Sequence, residues 1–420
     1  MAPSCADWKT PQQVIVQRNA KSNILHLIQV NICIVSSLKM GLCMGGIESV
    51  CYYLGKEIIK EEQHKLYQLY LHRPDTPEIP GVNYMQLPPL NSTVEATKII
   101  RDFIKQYNID IIWNHTMNVP LIRILRQACN ESHTKLVSVY HTAPNTALCE
   151  LRETYAHAKL TQDFGKCMRL AFFYPRNWFG VYRKCRTELC SIAELSDYVY
   201  LLSEAYIKEY KRICLRNYRN LRYMANPIEI SPGHCPKTQK KNQVLVVSRH
   251  VWKHKRIDRI IRIWKEIEGS YPDWQLIILG DGDAHEDYIN LARKLNVKNV
   301  IFKGMVSPDS YYKESKIICL TSGWEGLPMV LIEAQKHGCV PVSYKSFAAL
   351  PDIITNGETG YMIPPFHKHK FKDKLVYLMT HEHELEIMAE KCRLHSENFK
   401  SDLIAKSWLN QFKNIMSNTL

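Results

Sequence analysis

The 420 residues are enough for two or three domains with sizeable hydrophobic cores. Their 45% hydrophobic and 23% charged content is typical of a soluble globular protein, and no run reaches the roughly 18 apolar residues of a membrane span. A formal charge of +14, from 55 basic against 41 acidic residues, favours an anionic partner such as nucleic acid, a phosphorylated ligand or an acidic membrane face.

The first 30 residues are polar, without a strong period, and predict a poorly defined N-terminal extension. They lack the basic and apolar regions of a signal peptide. The 14 cysteines form no C-x-x-C pair and no zinc-like spacing with histidine. We therefore expect a cytoplasmic protein whose cysteines are reduced and fill the core.

A regular alternation of short apolar segments and helix-length amphipathic segments starts at Asn31. The apolar segments predict strands at 32–35, 66–71, 109–113, 136–140, 198–202 and 221–224. The amphipathic segments predict helices at 47–58, 94–107, 121–129 and 204–213. Because alternating strands and helices build parallel sheets with right-handed crossovers, this half of the chain predicts an α/β domain.

The same alternation restarts after a polar stretch that contains proline, glycine and lysine, as a linker does. Strands are predicted at 244–247, 275–279, 300–303, 317–320 and 340–343, and helices at 257–267, 286–295 and 327–337. The expected fold class is therefore α/β, with two doubly wound, Rossmann-like domains that face each other across a cleft. Such folds bind ligands at the carboxyl ends of their strands.

These patterns divide the chain into five parts. The N-terminal extension covers 1–30, and the first Rossmann-like domain covers 31–230. A linker at 231–242 leads to the second Rossmann-like domain at 243–395. Residues 396–420 predict a C-terminal helix that returns to the first domain.

Two glutamates flank a predicted strand-to-helix turn, Glu325 before it and Glu333 inside the helix. Pro328 suits a first helical turn, where the free backbone N–H groups and the positive end of the helix dipole form an anion site. A carboxylate at Glu333 can accept hydrogen bonds from the vicinal hydroxyls of a ribose. The alternative is that both are solvated surface acids.

This pair of glutamates resembles the E-x7-E motif of glycosyltransferase family four, as found in bacterial polysaccharide and glycolipid glycosyltransferases. Arg249 at a predicted strand end, followed by Lys255, resembles the basic pair that clamps the diphosphate of the donor. Such a pair suits phosphate, because arginine offers a bidentate fork and lysine a compact ammonium. The resemblance implies the two-domain GT-B fold, in which the first domain binds the acceptor and the second the nucleotide-sugar.

Other segments resemble the same family between residues 31 and 400. The glycines before 47 are similar to its phosphate loop, where we favour Gly46 as the residue that approaches the diphosphate. Residues 302–304 resemble the segment before the nucleobase pocket, and Asn226 with Pro227 the turn into the linker. The resemblance implies catalytic roles for His141, Arg249, Lys255 and Glu325, and donor binding by Gly46, Val306, Leu327, Met329 and Glu333.

Ordinary structural roles are the alternative for several of these residues. A histidine after a strand, such as His141, often serves only as a structural hydrogen-bonding group, and Arg249 suits an ordinary salt bridge. Asp281-Gly282-Asp283 spells the D-x-D metal motif of the other glycosyltransferase architecture, but we interpret it as a turn. We therefore expect no metal site and no cofactor.

The resemblance implies a retaining transfer of a hexose or N-acetylhexosamine from a nucleotide-sugar, with uridine diphosphate as the favoured carrier, to a lipid-linked or saccharide acceptor. An enzymatic alternative is a sugar phosphorylase or epimerase on the same fold. A basic nucleic-acid-binding protein is the non-enzymatic alternative, suggested by the charge. It explains neither the paired glutamates nor the two α/β halves, so we expect no nucleic acid partner.

A basic, aromatic segment at 166–186 contains six lysines and arginines, six aromatic residues and no acid. This composition suits an anionic bilayer, because rings enter the headgroup zone while basic groups stay at the phosphates. The residues expected at the membrane are Arg169, Phe172, Phe173, Trp178, Arg183, Lys184 and Arg186. The hypothesis places the protein peripherally on the inner face of the plasma membrane, whereas a helix pair packed in the core is the alternative.

Overall fold

The computed structural model describes residues 29–42, 46–74, 76–88, 92–160, 164–229 and 240–417. Within these ranges the chain folds into two α/β domains, each built on a parallel sheet. The predicted α/β class with two Rossmann-like domains is therefore confirmed.

The N-terminal domain has seven parallel strands in the order β3-β2-β1-β4-β5-β6-β7. In chain order they are β1 (Asn31–Leu38), β2 (Lys65–His72), β3 (Val82–Gln86), β4 (Ile111–Asn114), β5 (Lys135–Tyr140), β6 (Tyr198–Leu201) and β7 (Leu221–Tyr223). Between them run α1 (Gly46–Ile58), α2 (Thr93–Tyr107), α3 (Val119–Cys129), α4 (Thr146–Leu160), α5 (Phe164–Leu195) and α6 (Glu204–Cys214). Five consecutive residues of β1 are buried, as expected for a central strand covered by helices on both faces.

The C-terminal domain repeats this plan with six parallel strands in the order β10-β9-β8-β11-β12-β13. The strands are β8 (Lys241–Val247), β9 (Gln275–Leu279), β10 (Val300–Gly304), β11 (Ser315–Leu320), β12 (Val340–Tyr344) and β13 (Tyr361–Ile363). The helices are α7 (Trp252–Lys255), α8 (Ile257–Lys265), α9 (His285–Lys294), α10 (Asp309–Glu314), α11 (Met329–Lys336), α12 (Leu350–Ile353), α13 (Lys368–Thr380) and α14 (Glu382–Ser396).

The last helix, α15 (Ser401–Ser417), lies against the N-terminal domain. Its Trp408 ring is 4.7 Å from the ring of Trp113 and 4.4 Å from that of Tyr200, measured between centroids. Just before this helix, where the chain returns to the N-terminal domain, the carbonyl oxygen of Phe399 accepts a hydrogen bond of 2.8 Å from the backbone N–H of Ile228. These contacts tie the chain's end to the first sheet and hold the two domains together.

The structure differs from the sequence-based expectation at several elements. Strand β3 was not predicted, because its five residues lie at the edge of the sheet, are exposed or half-buried, and include no continuous apolar run. Strand β8 begins at Lys241, within the predicted linker 231–242. Helix α5 is 32 residues long and includes Pro175, whose presence obscured it in the sequence. Residues 1–28 of the predicted extension lie outside the described residues, whereas Val30 is fully buried in the first domain.

Ten of the cysteines, all in the described part of the chain, are free thiols, and nine of these ten are buried. Burial raises the pKa of Cys149 and of Cys185 to about 11, so both thiols remain protonated and unreactive at neutral pH. These cysteines act as small apolar core residues.

Candidate active site

The two domains meet where the loop before α11 is pressed against the N-terminal domain. The hydroxyl of Tyr206, on α6, lies 2.8 Å from the carbonyl oxygen of Glu325 and 2.7 Å from that of Gly326. A Cβ atom at Gly326 would lie 2.4 Å from the carbonyl oxygen of His141, so only glycine allows this approach. His141 and Glu325, both predicted from the sequence, therefore lie at the same junction.

Glu325 is a buried carboxylate with two basic neighbours on one side. The Nζ atom of Lys255 is 2.7 Å from its Oε1 atom, and Nε2 of His254 is 3.6 Å from Oε2. Burial alone would raise the pKa of Glu325, but the charge of Lys255 and the contact with His254 outweigh it and hold the pKa well below its usual range. The carboxylate is therefore ionised at neutral pH, and Lys255 is fixed beside it.

His254 is a site residue that the sequence analysis missed. Its Nε2 atom is 2.8 Å from the carbonyl oxygen of Trp324, and its ring stacks on the Trp324 ring at 4.6 Å between centroids. This stacking explains why an indole directly precedes Glu325. The sequence signal was a basic run at 253–256 after a predicted strand end.

Arg249 follows β8, whose neighbours in the sheet are β9 and β11. Its side chain is exposed and makes no ion pair or hydrogen bond with any residue that the structure describes. The carboxyl ends of β8 and β11 lie side by side, so Arg249 is at the same edge as the loop that carries Glu325. An unpaired guanidinium at this edge is available to an anion.

Glu333 lies on α11, and its Oε2 atom accepts a hydrogen bond of 2.9 Å from the hydroxyl of Tyr312. Burial raises the pKa of Glu333, although the Tyr312 hydrogen bond acts in the opposite direction. Leu327 is buried and Met329 half-buried at the start of α11. The Glu333 carboxyl is thus half-buried and hydrogen-bonded to Tyr312, and it is not a solvated surface acid.

Two of the predicted donor-binding residues, Val306 and Gly46, lie on other elements than Glu325. Val306 follows the edge strand β10 and is 42% exposed. Because β10 is three strands from β11, the two strand ends are about 14 Å apart. At Gly46, in the first turn of α1, a Cβ atom would meet nothing within 4 Å, so the described structure does not itself require glycine there. Residues 43–45 lie outside the described residues.

His141 has a partner that the sequence analysis did not single out. The Nε2 atom of His141 lies 2.9 Å from Nδ1 of His115, and the two rings stack. Burial lowers the pKa of His141 to about 4 and that of His115 well below its usual range, so both rings are neutral at pH 7. The signal for His115 was the polar run that follows β4, because β4 and β5 are neighbours and their ends meet at one sheet edge.

The Nδ1 atom of His141 is buried and has no hydrogen-bond partner among the described residues. With Nε2 engaged by His115, this atom is the one left for a ligand. A buried imidazole nitrogen without a partner costs free energy unless something binds it, so the position of this atom fits the ligand role predicted for His141.

Asp281 and Asp283 flank a tight turn, as we predicted. Gly280 and Gly282 have φ values of +113° and +148°, and a Cβ atom at Gly280 would lie 1.9 Å from the carbonyl oxygen of Ser248. The Asp281 carboxylate accepts from the backbone N–H of Gly282 at 2.7 Å. No group of three or more His, Cys, Asp and Glu in the described part of the chain is arranged to hold a metal ion.

The basic, aromatic segment lies on α5. Phe172 is 81% exposed, and residues 175–180 are exposed all around the helix, so this part of α5 projects from the domain. Residues 175–180 therefore do not pack in the core, although the ring of Tyr174 lies 5.8 Å from that of Tyr155 on α4, measured between centroids. Trp178 and Phe173 are exposed as well, whereas the side chain of Arg169 lies outside the described residues.

The basic residues farther along α5 differ in their surroundings. Arg183 and Lys184 are exposed, and Lys184 has an exposed ion-pair partner, Glu188, at 3.9 Å. Arg186 donates from Nε to the carbonyl oxygen of Cys214 at 3.2 Å. Arg186 therefore helps to join α5 to α6. Its place in a basic run did not indicate this structural contact. No helix among the described residues is long and apolar enough to cross a membrane.

Comparisons with known proteins find relatives for part of this chain. Residues 229–395 match the family model described as glycosyl transferases group 1. This segment therefore resembles a group 1 glycosyl transferase domain. Its span contains Arg249, Lys255 and both glutamates of the E-x7-E motif, as the resemblance implied.

A relative named as an uncharacterized glycosyltransferase from Haemophilus influenzae is 28% identical over 191 residues, which are 45% of this chain and 54% of that protein. The chain thus spans about half the length of this relative.

Two solved structures show that the two domains together have the GT-B fold. A lipopolysaccharide outer core galactosyltransferase, WaaB, aligns with a TM-score of 0.66 at 19% identity, over 93% of this chain and all (100%) of its own. Anabaena HepE in complex with UDP aligns with a TM-score of 0.67 at 14% identity, over 92% of this chain and 100% of its own. At these identities the likeness establishes the fold.

Proposed function

We propose that the protein is a glycosyltransferase that transfers a hexose or N-acetylhexosamine from a nucleotide-sugar with retention of configuration. The observation that carries the proposal is the buried pair of Lys255 and Glu325 at the domain junction, beside His141. The group 1 domain and the glycosyltransferase name of the Haemophilus relative support it. UDP in the HepE structure supports uridine diphosphate as the carrier.

In this mechanism the bond between the anomeric carbon and the diphosphate breaks as an acceptor hydroxyl oxygen bonds to the same face of that carbon. The acceptor's proton passes to a diphosphate oxygen, and the nucleoside diphosphate leaves. Arg249 and Lys255 stabilise the growing negative charge, as preorganised cations do in a water-poor cleft. Glu325 and His141 orient the sugar, while Glu333 holds the ribose.

The test is a screen of nucleotide-sugars by thermal shift, followed by acceptor trials with the donor that stabilises most. We expect a uridine diphosphate sugar to raise the melting temperature, since a ligand that binds only the folded state stabilises it. Transfer to a second sugar or a lipid supports the glycosyltransferase, and conversion without an acceptor supports an epimerase. Release of the sugar to inorganic phosphate supports a phosphorylase.

Metal independence is expected, because Arg249 and Lys255 supply the positive charge that a metal ion supplies in other transferases. Transfer in excess EDTA should equal transfer in buffer. Complete loss with EDTA, restored by manganese or magnesium, would contradict the assignment of Asp281 and Asp283 to a turn. Asp281→Asn with Asp283→Asn then identifies whether those carboxylates bind the metal.

The acceptor is proposed to be lipid-linked or a saccharide presented at an anionic membrane, with the projecting part of α5 as the docking element. The exposed rings of Phe172, Phe173 and Trp178 suit insertion, and Arg183 with Lys184 suits lipid phosphates. A groove of about 560 Å³ on the same helix contains Arg183, Arg186 and Arg216 beside Phe179. The outer core lipopolysaccharide that WaaB's name indicates is an acceptor of this class.

Co-sedimentation with vesicles tests this surface. Wild type should sediment with anionic vesicles at low salt and less with neutral ones. Arg183→Gln with Lys184→Gln should weaken binding by roughly tenfold or more, because each basic residue near an acidic leaflet contributes about 1 kcal/mol. The matched control is Lys370→Gln with Lys391→Gln, two exposed lysines of the other domain. Equal binding by both double variants would contradict docking through α5.

A further inference from the structure

A buried carboxylate from the N-terminal domain reaches into the C-terminal domain close to the proposed diphosphate clamp. Glu153 lies on α4 and is 1% exposed. Its Oε2 atom is 2.5 Å from Nη1 of Arg256 and 3.0 Å from Nη2 of Arg259. Both arginines belong to the segment that contains α7 and α8, and Arg256 directly follows Lys255.

Arg256 is held in an unusual backbone conformation. Its φ angle is +49°, in the left-handed region that residues other than glycine seldom adopt. The guanidinium binds the Asp258 carboxylate through Nε at 2.9 Å and Nη2 at 3.1 Å, which leaves Nη1 for Glu153. The junction between α7 and α8 is therefore fixed by two carboxylates, of which one comes from the other domain.

The buried charges in this cluster come in equal numbers. Glu153 and Asp258 provide two negative charges, and Arg256 and Arg259 provide two positive ones, all on largely buried side chains. Arg152, whose side chain is exposed, adds a third positive charge 3.4 Å from Oε1 of Glu153. Ions are costly to remove from water, so the removal of one partner leaves an uncompensated charge that must move or take up water. Loss of the Glu153 charge would disturb the arginines, and through Arg256 the position of Lys255.

The same helix also touches the loop before Glu325. Arg152 donates from Nη2 to the carbonyl oxygen of Gly323 at 3.1 Å. A Cβ atom at Gly323 would lie 2.8 Å from Cγ of Glu153, so the glutamate side chain fills the space that glycine leaves. Helix α4 thus contacts both segments that carry the Lys255–Glu325 pair.

We infer that Glu153 is a positioning residue that places Lys255 for the diphosphate through Arg256, so that nucleotide binding in one domain depends on a carboxylate of the other. This inference rests on the proposed function, because it assigns Lys255 to the diphosphate. On this inference, Lys255 is correctly placed for the diphosphate only when the two domains are in contact.

The first measurement follows the side-chain NMR signal of Lys255 in protein labelled at lysine, assigned with Lys255→Met. Without nucleotide, Glu153→Gln should shift this signal, and Glu150→Gln, an exposed change on the same helix, should not. An unchanged Lys255 signal in folded Glu153→Gln would overturn the inference whether or not the protein binds nucleotides. Absence of UDP binding by wild type would instead count against the proposed function.

The second measurement is a double-mutant cycle on UDP affinity by calorimetry. Glu153→Gln should weaken UDP binding by about tenfold in wild type and by much less in Lys255→Met, since coupled residues are not additive. Equal losses in both backgrounds would show that Glu153 does not act through Lys255 and would overturn the inference. If Glu153→Gln does not fold, Arg259→Gln, which removes one of the three arginine contacts of Glu153, replaces it in both measurements.

Discussion

Replacing Lys255 by methionine should lower sugar transfer by roughly tenfold or more and destabilise the protein by about 3 kcal/mol. The loss in transfer follows from the missing cation at the diphosphate, and tenfold corresponds to about 1.4 kcal/mol of transition-state stabilisation. The loss in stability follows because Glu325 remains buried, with its main basic partner removed. Denaturant unfolding and initial rates measure the two effects.

Lys253→Met is the matched control, because Lys253 lies on the same short helix and has no ion-pair partner among the described residues. It should change stability and transfer little. Near-wild-type values for Lys255→Met would exclude Lys255 from the site and would show that Glu325 is stabilised by other groups.

The pH dependence of stability gives a further check on this pair. The folded pKa of Glu325 lies below its ordinary value of 4.5, so its contribution is present above that pH and lost as the pH falls further. Wild type should therefore lose this stability on acidification below about pH 4.5. Lys255→Met should show a shallower loss over the same range.

The second prediction with a large expected effect is that Glu325 and Glu333 have different roles, so that their glutamine variants impair different steps. Glu325→Gln should lower transfer by roughly a hundredfold, because its proposed partner is the sugar. UDP affinity should stay nearly intact, since the amide oxygen of glutamine can still accept from Lys255 and keep it in place. Glu333→Gln should weaken UDP binding by about tenfold, as expected when a charged acceptor of ribose hydrogen bonds is lost.

Calorimetry measures the affinity of both variants for UDP and for the donor, and so tests whether the two glutamates have these different roles. Equal losses of UDP affinity in the two variants would mean that the roles are assigned wrongly. Tyr312→Phe is a useful companion, because it removes the hydrogen bond to Glu333 and keeps the carboxylate. It should have a smaller effect on UDP binding than Glu333→Gln.

Elements with a clear apolar period were predictable from the sequence. Strand β9 has the predicted bounds, and β5 differs by one residue, because uninterrupted buried residues give central strands a strong signal. The edge strand β3 and the proline-containing α5 lack that signal. The local sequence pattern therefore predicted the class of the fold, but it did not predict the edge strand or the longest helix.

The candidate site was predictable only where a motif or a strand end marks it. Glu325, Lys255 and His141 follow strand ends, and parallel strands bring such residues to one edge. Glu153 and Arg256 are 103 residues apart and pair only once the two domains dock, so no local pattern could reveal them.

The most direct test of retaining transfer is the anomeric configuration of the first product formed from an α-linked uridine diphosphate sugar, followed by NMR. Retention predicts an α-linked product that appears together with one UDP for each sugar transferred, with EDTA present. A β-linked first product, or no UDP release from any nucleotide-sugar with lipid-linked and saccharide acceptors, would contradict the proposed function.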